Sequence, residues 1–270
     1  MSDIGSIRKL VSRRIRPGNP QWVNEALKLQ REHVGLRQDG TYFGKNYSAI
    51  DGIMRRYLPR LVAASPFVRV LDIGIGAAPH PEVFEVKNML MRSGAAHHVS
   101  VMDVHRETLA DLSRMKRLDI EPRYLDKTPD TYREHFLGRS FVKEPSATPL
   151  TIFHREGYVY CLDIPDDVLR EMTLIEGDVV TAKLPPGGYD LIFCLRILPN
   201  YNGQLKQLAL FNLARGLRAG GILVTEIGSD PERWSWCTRE RLAELGLKRD
   251  DTPLKFDATY GEGDYALERI

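Results

Sequence analysis

Residues 68–78 read Val68-Arg69-Val70-Leu71-Asp72-Ile73-Gly74-Ile75-Gly76-Ala77-Ala78, an apolar run closed by an acidic residue and two glycines one residue apart. A buried parallel strand ends this way when its turn must let a ligand come close to the backbone. Glycine takes positive φ without penalty and has no Cβ to block the approach. The run therefore predicts a strand over Val68–Ile73 and, just beyond it, a site for a nucleotide-like cofactor.

Outward from this strand, the downstream pattern alternates. A helix is predicted over Glu82–Ser93, a strand over His98–Val104 with Asp103 near its end, and a helix over Arg106–Leu118. Residues 119–171 form an irregular insertion, in which Phe141-Val142-Lys143 and Thr151-Ile152-Phe153 suit a small hairpin and Tyr158–Leu162 a short strand. The third core strand is predicted over Met172–Val180 and contains Asp178. The fourth, Tyr189–Leu195, follows Pro185-Pro186-Gly187-Gly188 and carries Cys194. A helix over Gly203–Leu217 holds Leu205, Leu208, Ala209, Leu213 and Leu217 on one face. The glycines of Arg218-Ala219-Gly220-Gly221 stop it. A strand over Ile222–Ile227, a helix over Thr238–Leu245 and two strands flanking Gly261-Glu262-Gly263-Asp264 complete the chain. Near-continuous apolar strands alternating with helices predict an α/β fold. It is a Rossmann-like, seven-stranded, mostly parallel sheet with helices on both faces. Ligands of such sheets bind beyond the strand C-termini, where the strand order reverses.

Upstream, residues 1–66 read as a helical N-terminal cap or lid, and residues 67–270 as the cofactor-binding domain. Pro17-Gly18-Asn19-Pro20 breaks a first helical segment from a second, in which Trp22, Ala26, Leu27, Leu29 and Val34 share a face. A further helix, from about Ser48 to Ala64, keeps Ile50, Ile53, Met54, Tyr57 and Leu61 at helical spacing.

Composition narrows the class. In 270 residues the net charge is only +2, too weak to imply nucleic acid or a membrane surface. The three cysteines, Cys161, Cys194 and Cys237, are far apart and suit reduced thiols of a cytoplasmic protein. No apolar stretch is long enough to span a bilayer. The basic N-terminal residues Arg8, Lys9, Arg13, Arg14 and Arg16 lack the apolar run of a secretory signal.

The residues after the glycine turn discriminate between cofactors. A dinucleotide fold wants a third glycine and free N–H groups at a helix N-terminus for its pyrophosphate. Here Pro79-His80-Pro81 stands in that place. S-adenosylmethionine has no phosphate and does not need that anion site. Asp103 suits its two ribose hydroxyls, with Val104 beside it. Asp178 suits the adenine amino group, with Val179 offering a backbone contact to the ring. Asp72, with Gly74 and Gly76, suits the methionyl ammonium, and Cys194 closes the fourth strand nearby. Each aspartate taken alone also suits a helix cap or a turn.

As a set, these residues resemble those of the class I S-adenosylmethionine-dependent methyltransferases. Tyr189-Asp190-Leu191-Ile192-Phe193-Cys194 and Leu217-Arg218-Ala219-Gly220-Gly221-Ile222-Leu223 are similar to that superfamily's fourth- and fifth-strand motifs, and the resemblance covers about residues 68–230. A narrower resemblance is to the chemotaxis receptor glutamate methyltransferases. Asp190-Leu191-Ile192-Phe193-Cys194 is similar to their DVIFC, Val101-Met102-Asp103-Val104 to their ATDI, and Pro81 falls on the proline of their GxxxGEEP turn. Thr41-Tyr42-Phe43-Gly44-Lys45 lies where they carry TxFFR. The chain departs from that pattern where chemistry is done. Lys45 replaces a catalytic arginine, Leu195-Arg196 replaces an Arg-Asn pair, Pro79-His80 replaces Glu-Glu, and the catalytic tyrosine falls on Asn200 with Tyr201 next to it. Lysine is a point charge and lacks the planar fork that grips a carboxylate.

The candidates for handling the acceptor are Lys45, Tyr47, Arg196, Asn200 and Tyr201. Lys45 and Arg196 suit an anionic group, and Tyr201 suits a hydrogen bond to the acceptor. His80 is a candidate base held in a rigid turn. Tyr42, Phe43 and Tyr47 suit a lid, and Trp234 and Trp236 an acceptor pocket. His97 and His98 are adjacent in a strand and point to opposite faces, which disfavours a shared metal. The acceptor reads as a small molecule or a protein side chain. Nucleic acid is disfavoured, since Leu198-Pro199-Asn200-Tyr201 is a distant echo of the motif such enzymes carry. A cofactor-binding sensor without transfer activity is the alternative.

Overall fold

The structure, a computed structural model, describes residues 47–75, 81–126, 128, 130–145, 157–195, 197–198, 201, 203–226, 238–250 and 264–270. Two helices come first, α1 (Tyr47–Arg56) and α2 (Leu58–Ala64). The sequence predicts one helix here. Pro59, in the first turn of α2, has no N–H to continue it, and Tyr57 becomes the joint. Then come β1 (Phe67–Ile73), α3 (Pro81–Ser93), β2 (Ala96–Asp103) and α4 (Arg106–Arg114). The insertion contains β3 (Arg117–Ile120), single-turn α5 (Pro122–Leu125) and α6 (Asp130–Arg133), β4 (Val142–Pro145), β5 (Tyr158–Asp163) and α7 (Asp166–Arg170). The second half runs β6 (Met172–Glu176), β7 (Tyr189–Cys194), α8 (Gly203–Gly216), β8 (Leu217–Glu226), α9 (Arg239–Glu244), β9 (Leu247–Arg249) and β10 (Asp264–Arg269).

Seven strands form one sheet in the order β6-β2-β1-β7-β8-β10-β9. The pairs from β6 through β8 are parallel, and β10 runs against both of its neighbours. This is the Rossmann-like arrangement that the alternating pattern predicts. The order reverses beside β1: the chain moves outward to β2 and β6, then returns to β7 on the other side. Alternate strand residues feed two apolar cores, so both sheet faces are covered. One core holds Val70, Val101, Phe193 and Val224 with Ile50, Ile53 and Leu61 of α1 and α2, and Phe84 of α3. The other holds Leu71, Met102, Ile192 and Leu223 with Leu205, Ala209 and Leu213 of α8. Residues 47–64 thus share a core with the sheet.

Two predicted elements are corrected, and a third lies partly outside the described residues. The helix from Arg106 stops at Arg114, and Leu118 lies instead on β3. Leu109, Leu112, Met115 and Leu118 keep a three-residue spacing that imitates a helix. Leu118 and Ile120, however, alternate with exposed residues as a half-buried strand does. The insertion's partner for β4 is β5, in the three-stranded sheet β3-β5-β4, and residues 151–153 lie outside the described residues. Pro145 is accommodated because β4 is an edge strand of that sheet. The third core strand ends at Glu176, four residues early, because Asp178 accepts the Val180 N–H at 2.8 Å and bends the chain into a turn.

At the end of the sheet opposite those turns, Asp190 ties three strands together. It is fully buried, accepts the Arg69 N–H of β1 at 2.7 Å, and pairs with the Arg218 guanidinium of β8. Removing one partner of such a pair leaves a poorly solvated charge and an orphaned N–H. Asp190→Ala should therefore lower stability by about 3 kcal/mol, read from the urea unfolding midpoint. A loss below about 1 kcal/mol would show that water satisfies the two donors instead.

Candidate cofactor site

The turns after β1, β2, β6 and β7 meet at the C-terminal edge of the sheet. The Gly74 N–H donates to the Met102 carbonyl at 2.8 Å, and the Gly177 N–H to the Asp103 carbonyl at 2.9 Å. These two bonds draw the ends of β1, β2 and β6 into one rim. Gly74 has φ of 74°, and a Cβ there would run into the Ile197 side chain from the loop after β7. The glycine is thus required twice, by its backbone angle and by the close approach of β7's loop at the switch point.

Asp72 is the penultimate residue of β1, in register with Val101 and Phe193, and is fully buried. Among the described residues, neither of its carboxylate oxygens has a hydrogen-bond partner. Burial pushes this carboxyl up to about 7. The nearby Ile73 backbone N–H opposes part of the rise, and the Asp103 charge adds to it. Orphaned buried carboxylates are rare and call for an explanation.

Asp103 ends β2 on the same sheet face as Asp72. Its Oδ1 accepts the His105 N–H at 2.9 Å, at the entry to α4. Burial raises its carboxyl, while the backbone N–H groups of His105, Val104 and Ile75 lower it. Ile75 belongs to the glycine turn, so the loops after β1 and β2 converge on this one carboxylate. Val104 beside it is half-buried.

Asp178 follows β6 and is nearly buried. Its Oδ1 accepts the Val180 N–H at 2.8 Å and the Tyr201 hydroxyl at 3.1 Å. Two residues predicted for different jobs, one for the adenine and one for the acceptor, are therefore in contact. Val179 is buried in the α8-side core. Cys194 ends β7 but faces the same α8-side core, away from the face that carries Asp72 and Asp103. Its backbone carbonyl accepts the Thr225 hydroxyl at 2.9 Å. Cys161 is buried too, and burial raises its thiol to about 11, which keeps it protonated.

His97 and His98 turn to different partners. His97 Nδ1 lies 2.7 Å from the Ala95 carbonyl, and His98 Nε2 lies 2.8 Å from the Thr173 hydroxyl. Among the described residues no three acidic, histidine or cysteine side chains group as metal ligands would. No helix among them is long and apolar enough to cross a membrane.

The predicted Lys45, Gly76, Arg196 and Asn200 lie outside the described residues, as do Pro79, His80, Tyr42, Phe43, Trp22, Trp234, Trp236 and Cys237. Tyr47 opens α1, and its side chain is likewise outside them. Sequence reasoning passes over Ile197 and Asn212. Ile197 carries no signal, being one more apolar residue after an apolar strand. Asn212 does carry one: it is a polar side chain on the buried stripe of α8, between Ala209 and Leu213.

No protein-family model matches the chain, and no curated protein matches it. Solved structures do match. One is the N-methyltransferase NodS from Bradyrhizobium japonicum WM9 in complex with S-adenosyl-L-homocysteine. It is 13% identical, with 91% of this chain and 98% of that chain covered and a TM-score of 0.46. Another is magnesium protoporphyrin IX methyltransferase from Synechocystis PCC 6803 with bound S-adenosylmethionine. It is 12% identical, with 100% and 98% covered and a TM-score of 0.45. A third is a TehB-like S-adenosylmethionine-dependent methyltransferase from Corynebacterium glutamicum, 14% identical, with 93% and 98% covered and a TM-score of 0.43.

Proposed function

We propose that this chain is an S-adenosylmethionine-dependent methyltransferase acting on an oxygen or nitrogen of a small molecule or protein side chain. The observation that carries the reading is the Asp72 carboxylate, orphaned among the described residues. It is buried at the switch point, beside Gly74 and on one sheet face with Asp103. A buried carboxylate with no partner among the described residues suits a cationic ligand that favours its ionised form, and the methionyl ammonium is one. The other carboxylates complete a set for an adenosyl group: Asp103 for the ribose hydroxyls and Asp178 for the adenine amino group. Prolines 79 and 81 disfavour a pyrophosphate in the same place. When bound, the cofactor supplies a methyl group on a sulfonium, already activated for displacement.

The protein's task is then orientation. On this reading Gly76 lets the methionyl end lie against the backbone, and Val104 and the Val179 backbone frame the adenosine, while Cys194 faces the opposite core and takes no part. Holding an acceptor lone pair in line with the transferring bond supplies an effective molarity on the order of 10⁵ M or more. Lys45 and Arg196 would hold an anionic acceptor, and Tyr201 would donate to it. A receptor-type glutamate is the acceptor that the narrower resemblance implies, but Lys45 in place of arginine weakens the grip on a carboxylate.

Turnover of methyl-labelled cofactor in a host lysate tests this, with protein, small-molecule and nucleic-acid fractions counted separately. Label in the first or second fraction is expected. One observation favours a second reading, a cofactor-binding sensor without transfer: the Tyr201 hydroxyl is engaged by Asp178. Tight cofactor binding with no label in any fraction would establish that reading and overturn the first.

A further inference from the structure

We infer that Asn212 is a positioning residue that makes the turn after β6 selective for a 6-aminopurine. The inference rests on the reading of Asp178 and Val179 as the adenine subsite. Asn212 projects from α8 and is nearly buried. Its Nδ2 donates to the Val179 carbonyl at 2.8 Å and to the Ala182 carbonyl at 2.6 Å, which uses both amide protons. Its Oδ1 accepts from the Arg215 guanidinium at 3.4 Å, and that group also reaches the Leu184 carbonyl at 3.5 Å. A short ladder from α8 therefore fastens the whole segment 179–184.

The consequence falls on Val179. The peptide plane before it carries the Asp178 carbonyl, which accepts the N–H groups of Thr181 at 2.9 Å and Ala182 at 2.7 Å. The plane after it carries the Val179 carbonyl, held by Asn212, and the Val180 N–H, held by the Asp178 side chain at 2.8 Å. Both planes are pinned. In a trans peptide the N–H points opposite to the carbonyl. The Asp178 carbonyl points into the turn, so the Val179 N–H points out of it.

A fixed N–H donor next to a carboxylate acceptor is the complement of one base edge. Adenine offers a ring-nitrogen acceptor next to an amino donor. Hypoxanthine replaces the amino donor with a carbonyl acceptor, which would face the Asp178 carboxylate. Among the described residues, Asn212 alone holds the second plane from outside the turn. Without it the Val179–Val180 peptide is held only through the Val180 N–H on the Asp178 carboxylate, so its rotation carries that acceptor out of line with the Val179 N–H, which stays fixed.

Calorimetric titration of the full chain with S-adenosylhomocysteine and with S-inosylhomocysteine tests the inference. The wild type should prefer the adenine ligand by about a hundredfold, since the wrong base leaves buried polar groups unpaired. Asn212→Leu should keep the fold by circular dichroism and reduce that preference to about tenfold or less. Asn212→Ala, which adds no apolar bulk, carries the same comparison if the leucine does not fold. A preference kept intact in the variants, with both ligands weakened equally or not at all, would overturn the inference. A wild type that binds neither ligand would overturn the cofactor reading instead, a separate and visible outcome.

Discussion

Asp103→Ala should abolish measurable binding of S-adenosylhomocysteine, with affinity falling by about a hundredfold or more. The carboxylate stands at the end of β2, nearly buried, with the loops after β1 and β2 turned toward it. As a bidentate acceptor for two ribose hydroxyls it would contribute two charge-assisted hydrogen bonds, each worth about 1.5–3 kcal/mol. Losing both gives the hundredfold. The alanine variant also loses the acceptor for the His105 N–H at the entry to α4. Asp103→Asn is the control, because its amide oxygen can keep that bond and its size is unchanged. It should lose about tenfold, since one oxygen can still accept but the charge is gone. Calorimetry on both variants is the measurement. Unchanged affinity in Asp103→Ala would sink the ribose assignment.

Asp72→Asn should stabilise the protein at pH 8 while weakening its hold on the cofactor. The folded carboxyl is pushed up from 3.8 to about 7, mainly by burial. Between those values the folded chain keeps a proton that the unfolded chain has released. The contribution of this one group to stability is then greatest below about pH 4 and falls as pH rises toward and through 7. A carboxyl held that far above its unfolded value costs the fold roughly 4 kcal/mol at pH 8, and the unsatisfied amide of the variant offsets part of the relief. A net gain of about 2 kcal/mol at pH 8, turning into a loss of about 2 kcal/mol at pH 4, where the amide penalty remains and the relief is gone, is expected from urea unfolding at the two pH values. An equal effect at both would refute the assignment of a buried, ionising Asp72. Binding should run the other way. The methionyl ammonium favours the ionised carboxylate, so wild-type affinity should rise about tenfold from pH 6 to pH 8. In the asparagine variant it should be flat and low. The site on this reading holds an unfavourable charge for the ligand's use, a local cost that the rest of the fold must carry.

The strands were legible because burial on both sheet faces demands near-continuous apolar runs, as in Val68–Ile73 and Tyr189–Cys194. The placing of Asp72 and Asp103 at strand ends followed from the same runs, since each aspartate marks where the run gives out. Element ends were less legible where two periods overlap. Leu118 fits both a continuation of the helix from Arg106 and the strand it occupies, and only pairing with β5 decides between them. Asp178 shortened β6 by a side-chain bond to its own backbone, a local competition that apolar patterning does not register.

By itself, the sequence determined the fold class, the succession of strands and helices along the chain, and the acidic residues at the ends of successive strands. These are properties of short segments, encoded by period, apolar content and turn residues within a few positions of one another. Only the tertiary structure decided which of those residues meet. It set the Tyr201 hydroxyl on Asp178, laid Ile197 over Gly74, and reached Asn212 across to a turn that lies 30 residues earlier in the chain. It also left Asp72 without a partner among the described residues. Contacts of that kind depend on how strands far apart in sequence stack into one sheet and where the chain reverses beside β1. No local pattern carries that information, so the chemistry of the rim at residues 74, 103, 178 and 201 emerges only once the sheet is assembled.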